Sequence, residues 1–264
     1  MIELTADAYK RVAPLFEGIE LYSMLPHCVI EGHQPGRIYV DDASTPGAAF
    51  LCQQTGYCYV GGQSEALADE LETHLFLRAG RKHLHICATP GYWEQRMQTF
   101  RSQTWHPYRI SSYRIDTGAF HRGSSALPSL PAGCRIERVT EAHADVVHQH
   151  GTGILAFFGS VERFCERGLG YFLFEGDELA SWCVTSFVGG GACDASLQTL
   201  EPFRRKGYAT QVAAAFINGC LEVGLTPIWH TTPGNNASDR VAERMGFASI
   251  GLFTMYEAHH EENS

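Results

Sequence analysis

The sequence predicts a mixed α/β protein of the α+β kind, made of two halves that repeat one order of elements. In each half, β-rich runs joined by glycine-containing turns lead into a long helical run. Each helical run is followed at a similar interval by a further strand: 23 residues separate Gly62 from His85, and 22 separate Gly207 from Trp229. Between the halves, "GAFHRGSSALPSLPAG" over 118–133 is rich in Gly, Ser and Pro and reads as a junction. The expected division is an N-terminal α/β domain over 1–125 and a second domain over 126–264.

In the first half "RIYVDD", "AAFLCQQ" and "YCYVGG" are strands joined by the turns "ASTPG" and "TG". The run "SEALADELETHLFLRAG" is helical, "KHLHICA" a strand, "PGYWEQRMQTF" a helix and "YRISSYRI" a strand. In the second half "GYFLF", "ASWCVTSF" and "CDASLQT" form an antiparallel meander through "EGDE" and "GGGA". In "YATQVAAAFINGCLEVG", Val212, Phe216, Ile217, Cys220 and Leu221 share one face at helical spacing, and Gly224 ends the helix. "TPIWHTT" is a strand, "NNASDRVAERMG" a short helix with Gly246 just past its end, and "FASIGLFTMYE" one or two closing strands.

Composition narrows the function classes. A formal charge of -9 over 264 residues disfavours a sequence-independent grip on nucleic acid or anionic lipid, which needs Lys and Arg over a wide surface. No run approaches ~18 uninterrupted apolar residues, so no membrane span is expected, and the N-terminal "MIELTADAYKRV" is not a secretory signal. Nine cysteines without paired spacing suit free thiols in a reducing cytoplasm.

Within this acidic chain, "EPFRRKGYAT" over 201–210 sets three consecutive cations and a glycine between a strand and a helix. Unpaired N–H groups at such a junction can converge on a phosphate, the helix dipole adds to them, and Arg204, Arg205 and Lys206 supply full charges. Gly207 allows close backbone approach and Ala209 keeps the next turn small. A helix start whose cations point into water is the competing reading, and the downstream residues decide against it: an apolar helix, a strand holding "PIWH", then "N-x-x-S" and "A-E-R-M-G-F".

This ordered series resembles the GNAT superfamily of acyl-CoA-dependent N-acyltransferases. Arg204, Gly207 and Ala209 match the pyrophosphate motif, Asn235 and Ser238 the start of the next helix, and Gly246 and Phe247 its end. The whole chain, with "GRIYVDDASTPGAAFLC" and "GYCYVGG", looks like the zwittermicin-A-resistance-like group. The resemblance implies a GNAT fold in the second half, with a mixed sheet splayed between its fourth and fifth strands, and a degenerate GNAT-like repeat in the first. It further implies acetyl-CoA as acyl donor: Leu197, Gln198 and Thr199 pair with the pantetheine arm, and Arg204, Arg205, Lys206, Gly207, Tyr208, Ala209 and Thr210 hold the pyrophosphate. Asn235 and Ser238 would face the thiol end, although helix capping accounts for such residues without a ligand.

The implied chemistry is direct attack of an amine on the thioester in a ternary complex, which needs a base, oxyanion donors and a proton for the thiolate. A strand N–H near Leu197 to Thr199 serves as oxyanion donor. Asp194, Glu201, His230 and Tyr256 are the catalytic candidates, each with a structural alternative: a polar strand face for Asp194, an arginine partner for Glu201, an edge or core position for His230, packing on the sheet for Tyr256. The family's usual proton-donating tyrosine, four residues before the Gly-Phe pair, is here Ala242. Tyr208, Tyr256 and His230 are candidates to replace it, and unassisted departure of the thiolate is the alternative.

The thirteen histidines invite a metal reading, through "HLH" at His83 and His85 and "HQH" at His148 and His150. Neither pair has a cysteine or carboxylate at a ligand offset and the terminal "HH" is exposed, so incidental histidines and no metal are expected. Cys183 and Cys193 read as buried thiols, and Trp93, Phe100, Trp105 and Tyr108 as core rather than an acceptor pocket. The first half has "VGGQ" where the second has "RRKG", so one acyl-CoA site per chain is expected. The function read from the sequence is acetyl transfer from acetyl-CoA to a primary amine of a small molecule, an amino-modified antibiotic or metabolite by analogy. A non-catalytic acyl-CoA-binding sensor is the alternative from another class, and a metal-dependent hydrolase a third.

Overall fold

The computed structural model describes residues 1–19, 21–100 and 104–259. It divides into two compact units, Met1–Ile110 with Leu252–Ser264, and Ser111–Gly251. Strands β1 (Ile2–Glu3), β2 (Gly36–Val40), β3 (Ala48–Gln53), β4 (Tyr57–Gly62) and β5 (His83–Ala88) belong to the first unit, with helices α1 (Met24–Ile30), α2 (Glu65–Ala79) and α3 (Tyr92–Thr99). Strand β6 (Trp105–Ile115) passes from the first unit into the second. The second holds α4 (Thr117–Ser125), β7 (Cys134–Arg138), α5 (Ala144–His150), α6 (Ile154–Phe158), α7 (Val161–Arg167), β8 (Gly170–Glu175), β9 (Glu178–Gly189) and β10 (Ala192–Thr199). It continues with α8 (Tyr208–Glu222), β11 (Thr226–Thr231) and α9 (Asn236–Arg244), and β12 (Phe247–His259) returns the chain to the first unit.

The order read twice in the sequence recurs in the pairing. In the first unit β1, β2, β3 and β4 pair antiparallel in succession, β4 and β5 pair parallel, and β5 pairs antiparallel with β12. In the second unit β7, β8, β9 and β10 pair antiparallel in succession, β10 and β11 pair parallel, and β11 pairs antiparallel with β6. Each unit thus has a mixed sheet with the same succession of strand directions. The last "FASIGLFTMYE" run is one strand, β12.

The division between units does not fall in 118–133. That stretch lies in the second unit, where its first part is α4, capped by the Asp116 carboxylate accepting the Ala119 N–H at 2.9 Å. One of its glycines has a packing reason: a Cβ on Gly123 would stand 2.4 Å from the Arg244 carbonyl oxygen, so only glycine lets α4 approach the end of α9.

Helix α2 forms where Ser64 accepts the Leu67 N–H and ends at Gly80 in the left-handed region. It lays Leu67, Leu71 and Leu75 against Phe50, Ile86 and Trp93 in the first unit's core. Helix α8 buries Val212, Phe216, Ile217 and Cys220 in the second unit's core with Phe172 and Trp182, as its sequence period requires. Each large apolar side chain so withdrawn from water contributes about 1.5–3 kcal/mol before chain entropy is set against it. Among the described residues, no helix is long and apolar enough to cross a membrane.

Candidate functional site

The site begins where two parallel strands part. Strand β10 pairs with β11 only from Ala192↔Thr226 to Asp194↔Ile228, then continues to Thr199 paired with β9 alone. The β10–β9 register skips Ser186 between Asp194 and Ala195, a bulge that bends the ladder where the strands separate. Strand β11 keeps to β6, through Thr231↔Ser111. The Leu200 N–H bonds the Ala180 carbonyl of β9, so alternation along the strand turns the backbone groups of Leu197 and Thr199 away from β9, into the gap. At Ala195 the same direction is taken up locally, its N–H donating to Asp194 Oδ1 at 2.8 Å.

Beyond β10 the chain makes a short 3-10 turn, Glu201–Phe203, and then enters α8 through two left-handed residues. Arg205 has φ +65°, alone in that region among the described non-glycine residues, and Gly207 has φ +81°. No side chain caps α8, so the N–H groups of Tyr208, Ala209 and Thr210 have no partner from the helix itself. Thr210 Oγ1 instead donates to the Gly207 carbonyl at 2.8 Å. Arg204 Nε donates to the Thr199 carbonyl at 3.3 Å, tying the first arginine to the end of β10.

These pieces line one cleft of about 1060 Å³ within the second unit. Leu197, Gln198 and Thr199 of β10 form one wall; Arg204, Arg205, Gly207, Tyr208, Ala209 and Thr210 line it at the entry to α8. Trp229, His230 and Thr231 of β11 face them, with Asn235 and Ser238 at the start of α9. Among the described residues four arginines line it, Arg204, Arg205, Arg240 and Arg244, and no carboxylate does. In a chain of net charge -9, that is a local reversal of sign suited to a polyanion.

Lys206 departs from the sequence expectation. Its ammonium is held by both oxygens of Glu175, at 2.8 and 2.9 Å, and it is not among the cleft residues. The Tyr208 hydroxyl also turns to Glu175, donating at 2.7 Å, so this tyrosine meets the cleft without offering it a free hydroxyl. The Lys206 and Tyr208 bonds hold the Glu175 carboxyl below its usual value, and burial raises the Tyr208 phenol. Asn235 is the α9 cap, accepting the Ser238 N–H at 3.3 Å, while Ser238 Oγ accepts the Trp229 indole proton at 2.9 Å. Capping therefore falls to the asparagine, and the serine steadies the tryptophan.

Of the catalytic candidates, Asp194 and His230 are brought together. His230 Nδ1 lies 3.2 Å from Asp194 Oδ2, and both side chains are nearly buried, with 10% of the histidine's and 11% of the aspartate's surface exposed. The imidazole reaches the cleft, and the carboxylate behind it is anchored through its other oxygen by the Ala195 N–H. Glu201 is exposed and does not line the cleft, and Tyr256 belongs to the first unit, buried there against Trp105. Ala242, in place of the usual tyrosine, is fully buried. Sequence reasoning missed Thr231, a buried cleft residue whose Oγ1 has no partner, and the arginines of α9. Their signal was position: Thr231 ends a parallel strand, where crevices in α/β sheets open.

Among the described residues, the space beside the matching strands of the first unit is filled next to Gly61. There β4 and β5 pair from Tyr57↔His85 to Val60↔Ala88, and the next residue is closed over: a Cβ on Gly61 would meet the Leu15 carbonyl at 2.6 Å and the Phe16 ring.

The family model described as GNAT acetyltransferase matches residues 13–256. The chain is 24% identical over 278 residues to a protein of Bacillus subtilis (strain 168) named uncharacterized N-acetyltransferase YdfB, a match covering 96% of this chain and 97% of that one. Its fold is similar to that of a GCN5-related N-acetyltransferase-like protein from Streptococcus suis 89/1591, with a TM-score of 0.73 at 20% identity over 96% of this chain and 99% of that one. It is also similar to a tandem GNAT protein from the clavulanic acid biosynthesis pathway, with a TM-score of 0.67 at 11% identity over 100% of this chain and 99% of that one. With the model spanning nearly its whole length, the chain belongs to the GNAT acetyltransferase family.

Proposed function

We propose that the protein transfers the acetyl group of acetyl-CoA to a primary amine of a small molecule, by direct attack in a ternary complex within the second unit's cleft. The observation that carries this is the parting of β10 from β11 after Asp194, because it leaves a free strand edge leading straight into an uncapped, arginine-flanked helix start. The edge groups of Leu197 and Thr199 suit the amides of a pantetheine arm, as an edge strand suits a peptide. The turn through Arg205 and Gly207, with the first N–H groups of α8, suits a diphosphate. Arg204, Arg205, Arg240 and Arg244 supply the countercharge.

Bound there, acetyl-CoA supplies an activated acyl group as a thioester. The chain's own part is to orient it, exclude water and manage protons. His230, held by Asp194, takes a proton from the incoming ammonium, and the Leu197 N–H is the donor nearest to hand for a developing oxyanion. With Ala242 where a proton donor is usual and Tyr208 engaged by Glu175, the departing thiolate leaves without a tyrosine acid. The acceptor class, an amino-modified antibiotic or metabolite, rests on the resemblance to the zwittermicin-A-resistance-like group. Calorimetric titration with acetyl-CoA should give one site per chain, lost in Arg204→Glu. Thiol release over a panel of amines then tests transfer: binding without release above hydrolysis would leave an acyl-CoA sensor, and two equivalent sites would contradict the assignment.

A further inference from the structure

The first unit carries a cluster that the acetyltransferase reading does not use. Strands β5 and β12 run antiparallel with His83 opposite His259 and His85 opposite Glu257. Alternation puts all four side chains on one face of the ladder. His83 Nε2 lies 2.6 Å from Glu257 Oε1, and His259 Nε2 lies 3.3 Å from the same oxygen. The His83 and His259 rings stack at 4.2 Å, and His83 meets His85 at 4.6 Å. His85 is fixed from behind, its Nδ1 2.8 Å from the Tyr108 hydroxyl and its ring stacked on Tyr57.

We propose that His83, Glu257 and His259 form a binding site for a zinc-class divalent cation. A ligand atom from each, the histidine ring nitrogens and a carboxylate oxygen, lies within 4.8 Å of the others. In a tetrahedral zinc site with bonds near 2.0–2.2 Å, neighbouring ligand atoms stand about 3.3 Å apart, close to the Glu257–His259 distance. Ligation by both histidines requires the half-exposed His83 ring to turn out of its stack on His259, so that each ring plane contains the metal. Ordinary ion pairing accounts for the cluster poorly. One carboxylate oxygen, Glu257 Oε1, faces both His83 and His259, and a third imidazole, His85, crowds the same face. A metal ion takes the lone pairs of neutral imidazoles and the carboxylate charge together, displacing protons as it binds. Two imidazoles and one carboxylate suit zinc, cobalt(II) or nickel(II), and are poor ligands for calcium or magnesium. The exposed side chains of His83 and His259 leave the outer coordination position to solvent. The sequence hid this set because "HLH" lacks its own carboxylate; Glu257 and His259 arrive from a strand far along the chain, Glu257 being 174 residues beyond His83.

The test uses the full chain without an affinity tag, stripped by chelator and titrated with zinc chloride by calorimetry. One saturable site per chain is expected. His83→Gln and His259→Gln should each weaken it by roughly tenfold or more, while circular dichroism shows both variants folded. His27→Gln, beside the separate Glu31 pair, should leave it intact, as should a chain ended after His259. Cobalt(II) in place of zinc should give a visible band that His259→Gln removes. Absence of saturable binding would overturn the proposal. So would undiminished affinity in both glutamine variants, or loss of binding in His27→Gln or the shortened chain.

Discussion

His230 Nδ1 stands 3.2 Å from Asp194 Oδ2, joining two parallel strands just where they begin to part. The pair spans the apex of the cleft, the carboxylate fixing the ring and the ring reaching the space beyond. His230→Gln should lower kcat by roughly 10²–10⁴ while the acetyl-CoA dissociation constant stays within about twofold. Asp194→Asn keeps an acceptor for the Ala195 N–H but misdirects the imidazole proton, and should cost about tenfold or more in kcat. Full turnover in His230→Gln would move the base elsewhere.

Arg205 holds its place against backbone strain. At φ +65° an L-residue costs about 1–2 kcal/mol, and on the proposed function the guanidinium's contact with the diphosphate is what offsets that cost. Arg205→Gly should therefore leave Tm unchanged or slightly raised, yet weaken acetyl-CoA binding by about tenfold. Lys206→Ala, which removes a cation already given to Glu175, should change binding far less. Equal losses in the two variants, measured by calorimetry, would mean that Lys206 leaves Glu175 when the nucleotide arrives.

That Arg204, Arg205 and Gly207 stand together at a helix start was legible because the arrangement is local: a strand end, a turn and a helix start lie close together in the chain. The strand runs β2 to β4 and β8 to β10 and the long helix after each set were legible too, since period and turn residues report them; the exchange of closing strands was not, β6 ending against β11 in the second unit and β12 against β5 in the first. What the sequence withheld depends on partners far along the chain. Glu175, 31 residues before Lys206, decides which way that lysine points. Trp229 decides what Ser238 is for, and the 36 residues between Asp194 and His230 conceal a contact that only the parallel register of β10 and β11 creates. Gly123 misled for the opposite reason, as a residue typical of linkers used here for close packing.

Buried thiols should make the fold sensitive to alkali. Burial pushes the Cys87 thiol from its ordinary 9.0 up to about 12, and raises Cys28, Cys58 and Cys183 in the same direction. Because the folded values lie above the unfolded ones, the folded form keeps protons that the unfolded chain gives up. The contribution is whole below about pH 9 and is lost as pH climbs from there toward the folded values. Urea midpoints should fall between about pH 8 and about pH 10.5, and the fall should be shallower in the Cys28→Ala/Cys87→Ala double variant. An unchanged slope would assign the effect to other groups.

The end of α9 offers a sharper test of how the cleft is held. Gly246 has φ +80°, and a Cβ there would stand 2.4 Å from the Phe120 nitrogen and 2.8 Å from the Ala119 carbonyl carbon, both backbone atoms that cannot swing aside. Gly234, just ahead of the same helix, has φ +90° but open space around it. Gly234→Ala should cost about 1 kcal/mol, from conformation alone, whereas Gly246→Ala adds a clash and should cost more than about 2 kcal/mol. Relief of that clash must move α4 or the end of α9, which carries Arg240 and Arg244 into the cleft. Gly246→Ala should for that reason weaken acetyl-CoA binding as well as stability, and Gly234→Ala should weaken it less. Chemical denaturation and calorimetry on the two variants separate these effects; equal stability losses would show that α4 yields freely and that the close approach at Gly246 is not what fixes the helix.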